Sequence, residues 1–199
     1  QNKVVRDLLF SKNEDSLLAL FNDRLIAYRT SDRTMSREVR LPNENAGRIG
    51  LSADGSSVFV VSESALLVYG IEGFDLQQSL LANNVSFSAT ASSLSGQFLA
   101  IGSSDGTTQL VNAGTLTPIA VFRGHRTRIQ CVAFFNNDRS LVTADGNGVL
   151  RLWDVSSQRE LGVLHTAGPN CAIVEGKQAL VTWGTDRPLR VWSAGKIPQ

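Results

Sequence analysis

Two sets of positions, mostly apolar or aromatic, recur along this chain at a nearly constant interval. The first set is spaced by 41, 42, 42 and 39 residues and consists of Tyr28, Tyr69, Val111, Trp153 and Trp192. The second set keeps the same rhythm and consists of Phe10, Leu51, Ser92, Phe135 and Val174. A period of ~40–45 residues is typical of a repeated four-stranded sheet. The chain is therefore predicted to contain five copies of one β unit, whose first strands end at the second set and whose third strands end near the first set.

Short apolar runs and turn-forming pairs indicate strands throughout. The turn-forming pairs are Asp54-Gly55, Ser95-Gly96, Asp105-Gly106, Asp145-Gly146 and Asn147-Gly148. No long segment has the 3.6-residue period of an amphipathic helix, so very little helix is expected. The longest apolar runs, at 64–68 and 129–135, have the length of strands and are too short to span a membrane as a helix.

The stretch from 122 to 164 carries two diagnostic pairs, Gly124-His125 and Trp153-Asp154. It resembles one blade of the WD-repeat β-propeller family, and the resemblance extends through the period over essentially the whole chain. The third repeat adds Ser104-Asp105-Gly106-Thr107 in the expected turn. The resemblance implies an all-β propeller of four-stranded antiparallel blades, with blades near 4–43, 46–83, 85–122, 127–164 and 169–199.

The number of strands raises the question of how such a ring closes. The fourth strand of the last blade would extend past Gln199, so the last blade lacks its outer strand. One explanation is a piece of a larger propeller, most simply of seven blades, and another is a ring completed by a second chain. A five-bladed ring with a loose seam is the third. The first two explanations predict that the chain associates with a second copy of itself or with another propeller chain. The open faces of the end blades would otherwise leave strand edges and apolar surface unpaired.

In the WD-repeat family a histidine, a hydroxyl residue, an acidic residue and a tryptophan often form a hydrogen-bonded tetrad within a blade. The matching positions in the fifth repeat are His165, Thr182, Asp186 and Trp192. The fourth repeat offers His125, Thr143, Asn147 and Trp153. Because an amide brings no charge to the network, the fifth tetrad is expected to be the stronger.

Structural roles for both histidines remove the usual candidates for catalysis and metal binding. Catalysis by carboxylates alone stays open in principle, since Asp23, Glu63, Asp105 and Asp186 lie in turns on one face, although turns carry acidic residues for local capping. A zinc site needs three or four converging ligands, and the usual general base is a histidine. No catalytic residue, metal site or cofactor is therefore predicted. Cys131 and Cys171 occupy the same position in successive repeats and are expected to be free, buried thiols. A disulfide between them is the less favoured alternative, because adjacent blades diverge and the bond needs Cα atoms within roughly 7 Å. Free thiols favour a reducing compartment, hence the cytoplasm, with the nucleus left open.

Loops at one face of the propeller are the expected binding site for partners. The proposed face comprises Arg123, Arg126, Arg128, Arg187, Asp105 and Asp145. Guanidinium groups suit an acidic or phosphorylated segment of a partner protein. The alternative is that these arginines pair with Asp145 and Asp186 on the same rim. The net charge of +1 and the absence of a dense basic stripe argue against a nucleic-acid partner.

The resemblance implies a non-catalytic scaffold that helps to assemble a multiprotein complex. A ligand- or glycan-binding five-bladed propeller of the lectin type is the alternative. The partner-face loops contain no aromatic residue, which counts against repeated sugar pockets. A propeller-fold hydrolase is disfavoured by the structural assignment of both histidines.

Overall fold

A computed structural model describes residues 4–42, 45–165, 168, 170–174, 179–184 and 187–193. In these residues the chain forms nineteen strands and no helix, which confirms the all-β prediction. No described helix is long and apolar enough to cross a bilayer. The chain divides into two compact units, Gln1–Ser88 and Ala89–Gln199.

The first unit contains two antiparallel sheets, each with its four strands in chain order. The first sheet comprises β1 (Asp7–Phe10), β2 (Ser16–Leu20), β3 (Arg24–Arg29) and β4 (Met35–Arg40). The second comprises β5 (Ala46–Leu51), β6 (Ser57–Ser62), β7 (Ala65–Gly70) and β8 (Leu76–Leu81). Chain order is expected because each strand is joined to the next by a short turn.

A single apolar core joins these two sheets. Leu18 and Leu25 of the first sheet and Val58 and Val60 of the second belong to it and are fully buried. Every residue of β7 is buried, whereas β4 and β8 on the outside are mostly exposed. Inner strands read as continuous apolar runs because they are covered on both faces.

The second unit follows the same plan. Its first sheet comprises β9 (Phe87–Ser92), β10 (Phe98–Ser103), β11 (Thr108–Asn112) and β12 (Pro118–Phe122), with the start of β9 reaching into the first unit. The next comprises β13 (Ile129–Phe135), β14 (Ser140–Asp145), β15 (Val149–Asp154) and β16 (Glu160–His165). The last described sheet has three strands, β17 (Asn170–Val174), β18 (Ala179–Gly184) and β19 (Arg187–Ser193).

The strand ends confirm both periodic sets. All five members of the second set are the last residues of β1, β5, β9, β13 and β17. Every member of the first set is the next-to-last residue of a third strand. The four complete sheets also share one irregularity, a shift of register beside this residue where the third strand meets the fourth. The repeat is therefore structural as well as numerical.

Turn chemistry agrees with the sequence at four glycines. Gly55, Gly96, Gly106 and Gly148 all have positive φ, between 73° and 84°. L-residues with a side chain rarely adopt this conformation, so these turns require glycine or a close substitute.

The two cysteines differ from the expectation. Cys131 in β13 and Cys171 in β17 form a disulfide bond, with their Cα atoms 5.7 Å apart. The prediction of free thiols is wrong because these two first strands run close enough to bring equivalent repeat positions within bonding range. The inference of a reducing compartment rested on free thiols and loses that basis.

Candidate partner-binding site

A buried network beneath the loops of the second unit begins at Thr143. Its hydroxyl oxygen lies 2.8 Å from Trp153 Nε1 and 2.7 Å from His125 Nε2. Because an indole N–H can only donate, Thr143 accepts from Trp153 and its own hydrogen is available for His125 Nε2. This assignment leaves the imidazole proton on Nδ1. His125, Thr143 and Trp153 therefore form three members of the predicted tetrad.

The fourth residue of the network is Asp145, which meets the imidazole through a close charge contact and not an aligned hydrogen bond. Its Oδ2 lies 3.2 Å from His125 Nδ1, and its other carboxylate oxygen accepts backbone N–H groups of Asn147 and Val149. Asn147 itself is exposed, so its predicted role in the tetrad is wrong. Thr143 and Asp145 lie two residues apart in β14 and point to the same face, whereas Asn147 lies beyond the strand in the turn. Because side chains two residues apart in a strand share a face, the sequence contained a signal that identifies Asp145 as the residue beside Thr143.

The environment of His125 favours the neutral ring. Burial lowers its pKa, and the positive charge of Arg151 acts in the same direction, while Asp145 opposes the shift. A neutral imidazole with one protonated nitrogen matches the network, since Nε2 serves as an acceptor and Nδ1 faces the carboxylate. His125 is thus part of the structural core of this blade.

The fifth repeat shows part of its predicted tetrad. Trp192 Nε1 donates to Thr182 Oγ1 at 3.1 Å, and Thr182 is fully buried. His165 differs from His125 in being exposed at the end of β16. Asp186 lies outside the described residues, so the full set of four stays a prediction.

Above this network lies the segment between β12 and β13, which presents three exposed arginines, Arg123, Arg126 and Arg128. We call these three residues the arginine edge. Three sets of contacts hold this segment in place. Gly146 N, in the turn after β14, donates to Arg128 O at 3.0 Å. The tetrad fixes His125 from below.

The turn between β10 and β11 holds the segment from its other side. A Cβ on Gly106 would lie 2.6 Å from His125 O and 3.1 Å from Thr127 O. Only glycine allows this close approach, and its φ of 84° requires glycine as well. The turn containing Asp105 therefore lies against the arginine edge, which brings together two parts of the predicted face.

The alternative prediction is wrong for Asp145, and its other half stays a prediction because Asp186 lies outside the described residues. Asp145 is 2% exposed and faces His125, so it belongs to the buried tetrad and not to the binding face. Asp105 is exposed, and Thr107 donates to its Oδ1 from both backbone and side chain. Within the described part of the chain, no carboxylate forms an ion pair with Arg123 or Arg126. The side chain of Arg187 lies outside the described residues.

One cation that the sequence reasoning missed lies behind the edge. Arg151 in β15 forms an ion pair with Glu160, and its guanidinium would be 3.1 Å from a Cβ on Gly124. The missing side chain of Gly124 leaves room for this group. In the sequence, the Arg151–Glu160 ion pair is indicated only by opposite charges on two neighbouring predicted strands, and such charges are common.

The described residues contain no group of three or more His, Cys, Asp or Glu side chains placed to hold a metal ion.

Comparison with known proteins points in the same direction as the geometry. The sequence model described as "WD domain, G-beta repeat" matches residues 116–154. ASTRA-associated protein 1 of Pyricularia oryzae is 31% identical over 77 residues, covering 38% of this chain and 16% of that protein. WD repeat- and FYVE domain-containing protein 4 of Mus musculus is 26% identical over 157 residues, covering 74% of this chain and 5% of that protein. The chain thus spans less than a fifth of either relative.

Solved structures match over nearly the whole chain. A chain in "Crystal Structure of Mitotic Checkpoint Complex" has a TM-score of 0.86 at 17% identity and covers 97% of this chain and 62% of its own length. "Structure of U3-55K" also has a TM-score of 0.86, at 14% identity over 98% of this chain and 63% of its own. At these identities the matches show the fold. With the repeated four-stranded sheets, the WD match over residues 116–154 and the WD-repeat relatives, they support the WD-repeat β-propeller as the family that this chain resembles.

Proposed function

We propose that this chain is a non-catalytic interaction module that helps to assemble a multiprotein complex, and that its arginine edge binds an acidic or phosphorylated segment of a partner protein. The proposal rests on the exposure of Arg123 and Arg126 and on their lack of a described ion-pair partner. Both are exposed on a segment with a fixed backbone, and no described carboxylate pairs with them. Fixed guanidinium groups bind carboxylate and phosphate groups with little loss of backbone entropy.

The relatives support the general class of function. One is named as associated with ASTRA, and one structural neighbour is part of a mitotic checkpoint complex. Rigid sheets that carry variable loops are suited to such roles because the scaffold holds the loops in place. A lectin-like function finds less support, since the loop that carries the arginine edge has no aromatic ring against which a sugar could stack.

Binding to defined peptides tests the proposal. Three fluorescein-labelled octapeptides of alternating alanine and a second residue would be compared, the second residue being glutamate, phosphoserine or glutamine. The glutamate and phosphoserine peptides are expected to bind, and the glutamine peptide to bind at least about tenfold more weakly. The affinity should fall with added salt because exposed charges are screened.

A matched pair of variants separates the arginine edge from general charge. Arg123→Glu/Arg126→Glu should weaken binding of the acidic peptides by about tenfold or more. The control is Arg139→Glu/Arg159→Glu, which makes the same charge change in the turns at the opposite end of the same sheet. Equal losses in the two double variants would contradict the proposed edge, as would equal affinity for the glutamate and glutamine peptides.

A further inference from the structure

The first unit contains a cleft of about 790 Å³ that the proposed function does not use. It lies between the first two sheets, at the end of the strands where the β1–β2, β5–β6 and β7–β8 turns meet. Polar residues form most of its rim, and half-buried Ile71 adds apolar surface, whereas Leu18 and Ala27 beneath the cleft are almost fully buried. A volume of this size lies within the ~300–1,000 Å³ range of ligand sites in proteins.

The rim carries more negative than positive charge. Asp15, Asp54, Glu72 and Asp75 line the cleft and are exposed, against two cations, Lys12 and Arg37. Hydrogen bonds from Ser52 and Ser56 lower the pKa of Asp54 to about 2, so this carboxylate stays ionised at any physiological pH. The net charge of the lining is −2, four carboxylates against two cations.

Both cations are directed to backbone oxygens and not to these carboxylates. Lys12 Nζ in the first sheet donates to Ala53 O at 2.6 Å, and Arg37 Nη1 approaches Ile71 O at 3.4 Å. Each contact crosses from the first sheet to the second, so the cations tie the two walls together. Among the described residues none of the four carboxylates has an ion-pair partner.

Glycine at position 70 leaves room for two polar side chains of the cleft. A Cβ there would lie 2.7 Å from both Asp75 Oδ1 and Gln77 Nε2. Without a Cβ, both side chains can lie across the base of the β7–β8 turn.

The spread of the carboxylates distinguishes between possible cations. In the described residues no three acidic, histidine or cysteine side chains converge on a common point, as a metal ion would require. Separate carboxylates around a cleft that exposes part of Ile71 suit a longer ligand, whose aliphatic stems lie against Ile71 while its charged heads reach the rim. Lysine and arginine side chains have this form.

We propose that this acidic cleft between the first two sheets binds a lysine- or arginine-bearing peptide segment of a partner protein. The cleft accepts the charge opposite to that accepted by the arginine edge, and the proposal does not depend on that edge. Two sites of opposite preference would allow one chain to hold two segments of different chemistry.

Fluorescence anisotropy with the full chain tests this proposal. The probe is a fluorescein-labelled octapeptide of alternating alanine and arginine, and its neutral counterpart has citrulline in place of every arginine. The arginine peptide is expected to bind at least about tenfold more tightly at low salt, and equal binding of the two peptides would overturn the proposal.

Matched variants then locate the binding. Glu72→Gln/Asp75→Asn should weaken binding of the arginine peptide by about five- to tenfold. This is the combined effect expected from the loss of two ion pairs that solvent partly screens. The control, Glu38→Gln/Glu63→Gln, removes two exposed carboxylates of the same unit that do not line the cleft, and it should change affinity by less than about twofold. Equal losses would overturn the proposal. If the cleft variant does not fold, the wild-type amide NMR signals of Gly55 and Gly70 decide, because binding in the cleft must shift them and binding elsewhere must not.

Discussion

Asp145 Oδ2 lies 3.2 Å from His125 Nδ1, and the two side chains are only 2% and 1% exposed. The same carboxylate accepts backbone N–H groups at the start of the following turn. One buried group therefore connects the β14–β15 turn to the segment that carries the arginine edge. This contact makes the stability of the fourth blade and the position of the candidate site depend on the same residues.

Asp145→Ala is expected to lower the free energy of unfolding by roughly 2–3 kcal/mol, because it leaves a buried imidazole and two backbone donors without their partner. Urea unfolding at pH 7.5, followed by tryptophan fluorescence, measures this change. All three tryptophans lie in the second unit, so the signal reports on the affected sheets.

The control for this prediction is Asn147→Ala. Asn147 is exposed, and only its backbone contacts Asp145, so the change should stay within about 0.5 kcal/mol. If the two variants lose equal stability, the assignment of Asp145 to the tetrad fails.

The pH dependence of stability should contain a contribution from His125. Burial lowers its pKa in the folded state, whereas an unfolded histidine titrates at about 6.5. Below that pH the unfolded chain binds a proton that the folded chain resists, so the free energy of unfolding falls as the pH falls. Above about pH 7 the contribution is fully present and constant.

Urea midpoints between pH 8 and pH 5.5 measure this contribution. The wild type should lose stability below about pH 6.5 more steeply than His125→Gln, which is less stable at pH 8 but has no imidazole at this site. The exposed His165 is present in both proteins and cancels in the comparison. Parallel pH profiles for the two proteins would show that His125 is not held neutral.

Reduction of the bond between Cys131 and Cys171 should destabilise the second unit. The bond closes a loop with a sequence separation of 40 residues, for which the loss of chain entropy corresponds to about 2–4 kcal/mol. Unfolding with and without reductant, followed by tryptophan fluorescence, measures the difference. The Cys131→Ala/Cys171→Ala variant serves as the control and should not respond to reductant. Two free thiols in the non-reduced wild type, detected by mass spectrometry after alkylation, would contradict the bond.

Strand positions were predictable because a repeat provides several independent observations of the same pattern. The positions of Phe10 and Val174 as strand ends follow from a period shared by five copies, although neither residue alone indicates a strand end. Asn147 shows where prediction from the repeat period fails. Alignment with the fifth repeat placed it in the tetrad, but the direction of a side chain near a turn depends on where the strand ends. A shift of two residues separates a buried carboxylate from an exposed amide.

The sequence by itself determined the number of repeats, the strand order within each sheet and the residues of the arginine edge, because these follow from local periodicity and turn chemistry. The tertiary structure decided which groups meet. It placed Asp145 against His125, joined Cys131 to Cys171, and gave the carboxylates of the acidic cleft no ion-pair partner among the described residues. The residues in each of these groups are between 20 and about 60 positions apart in the chain. The distances between their side chains depend on how the strands and sheets pack. Differences of a few ångströms decide whether two side chains bond or stay apart. The periodicity of a sequence does not contain these distances.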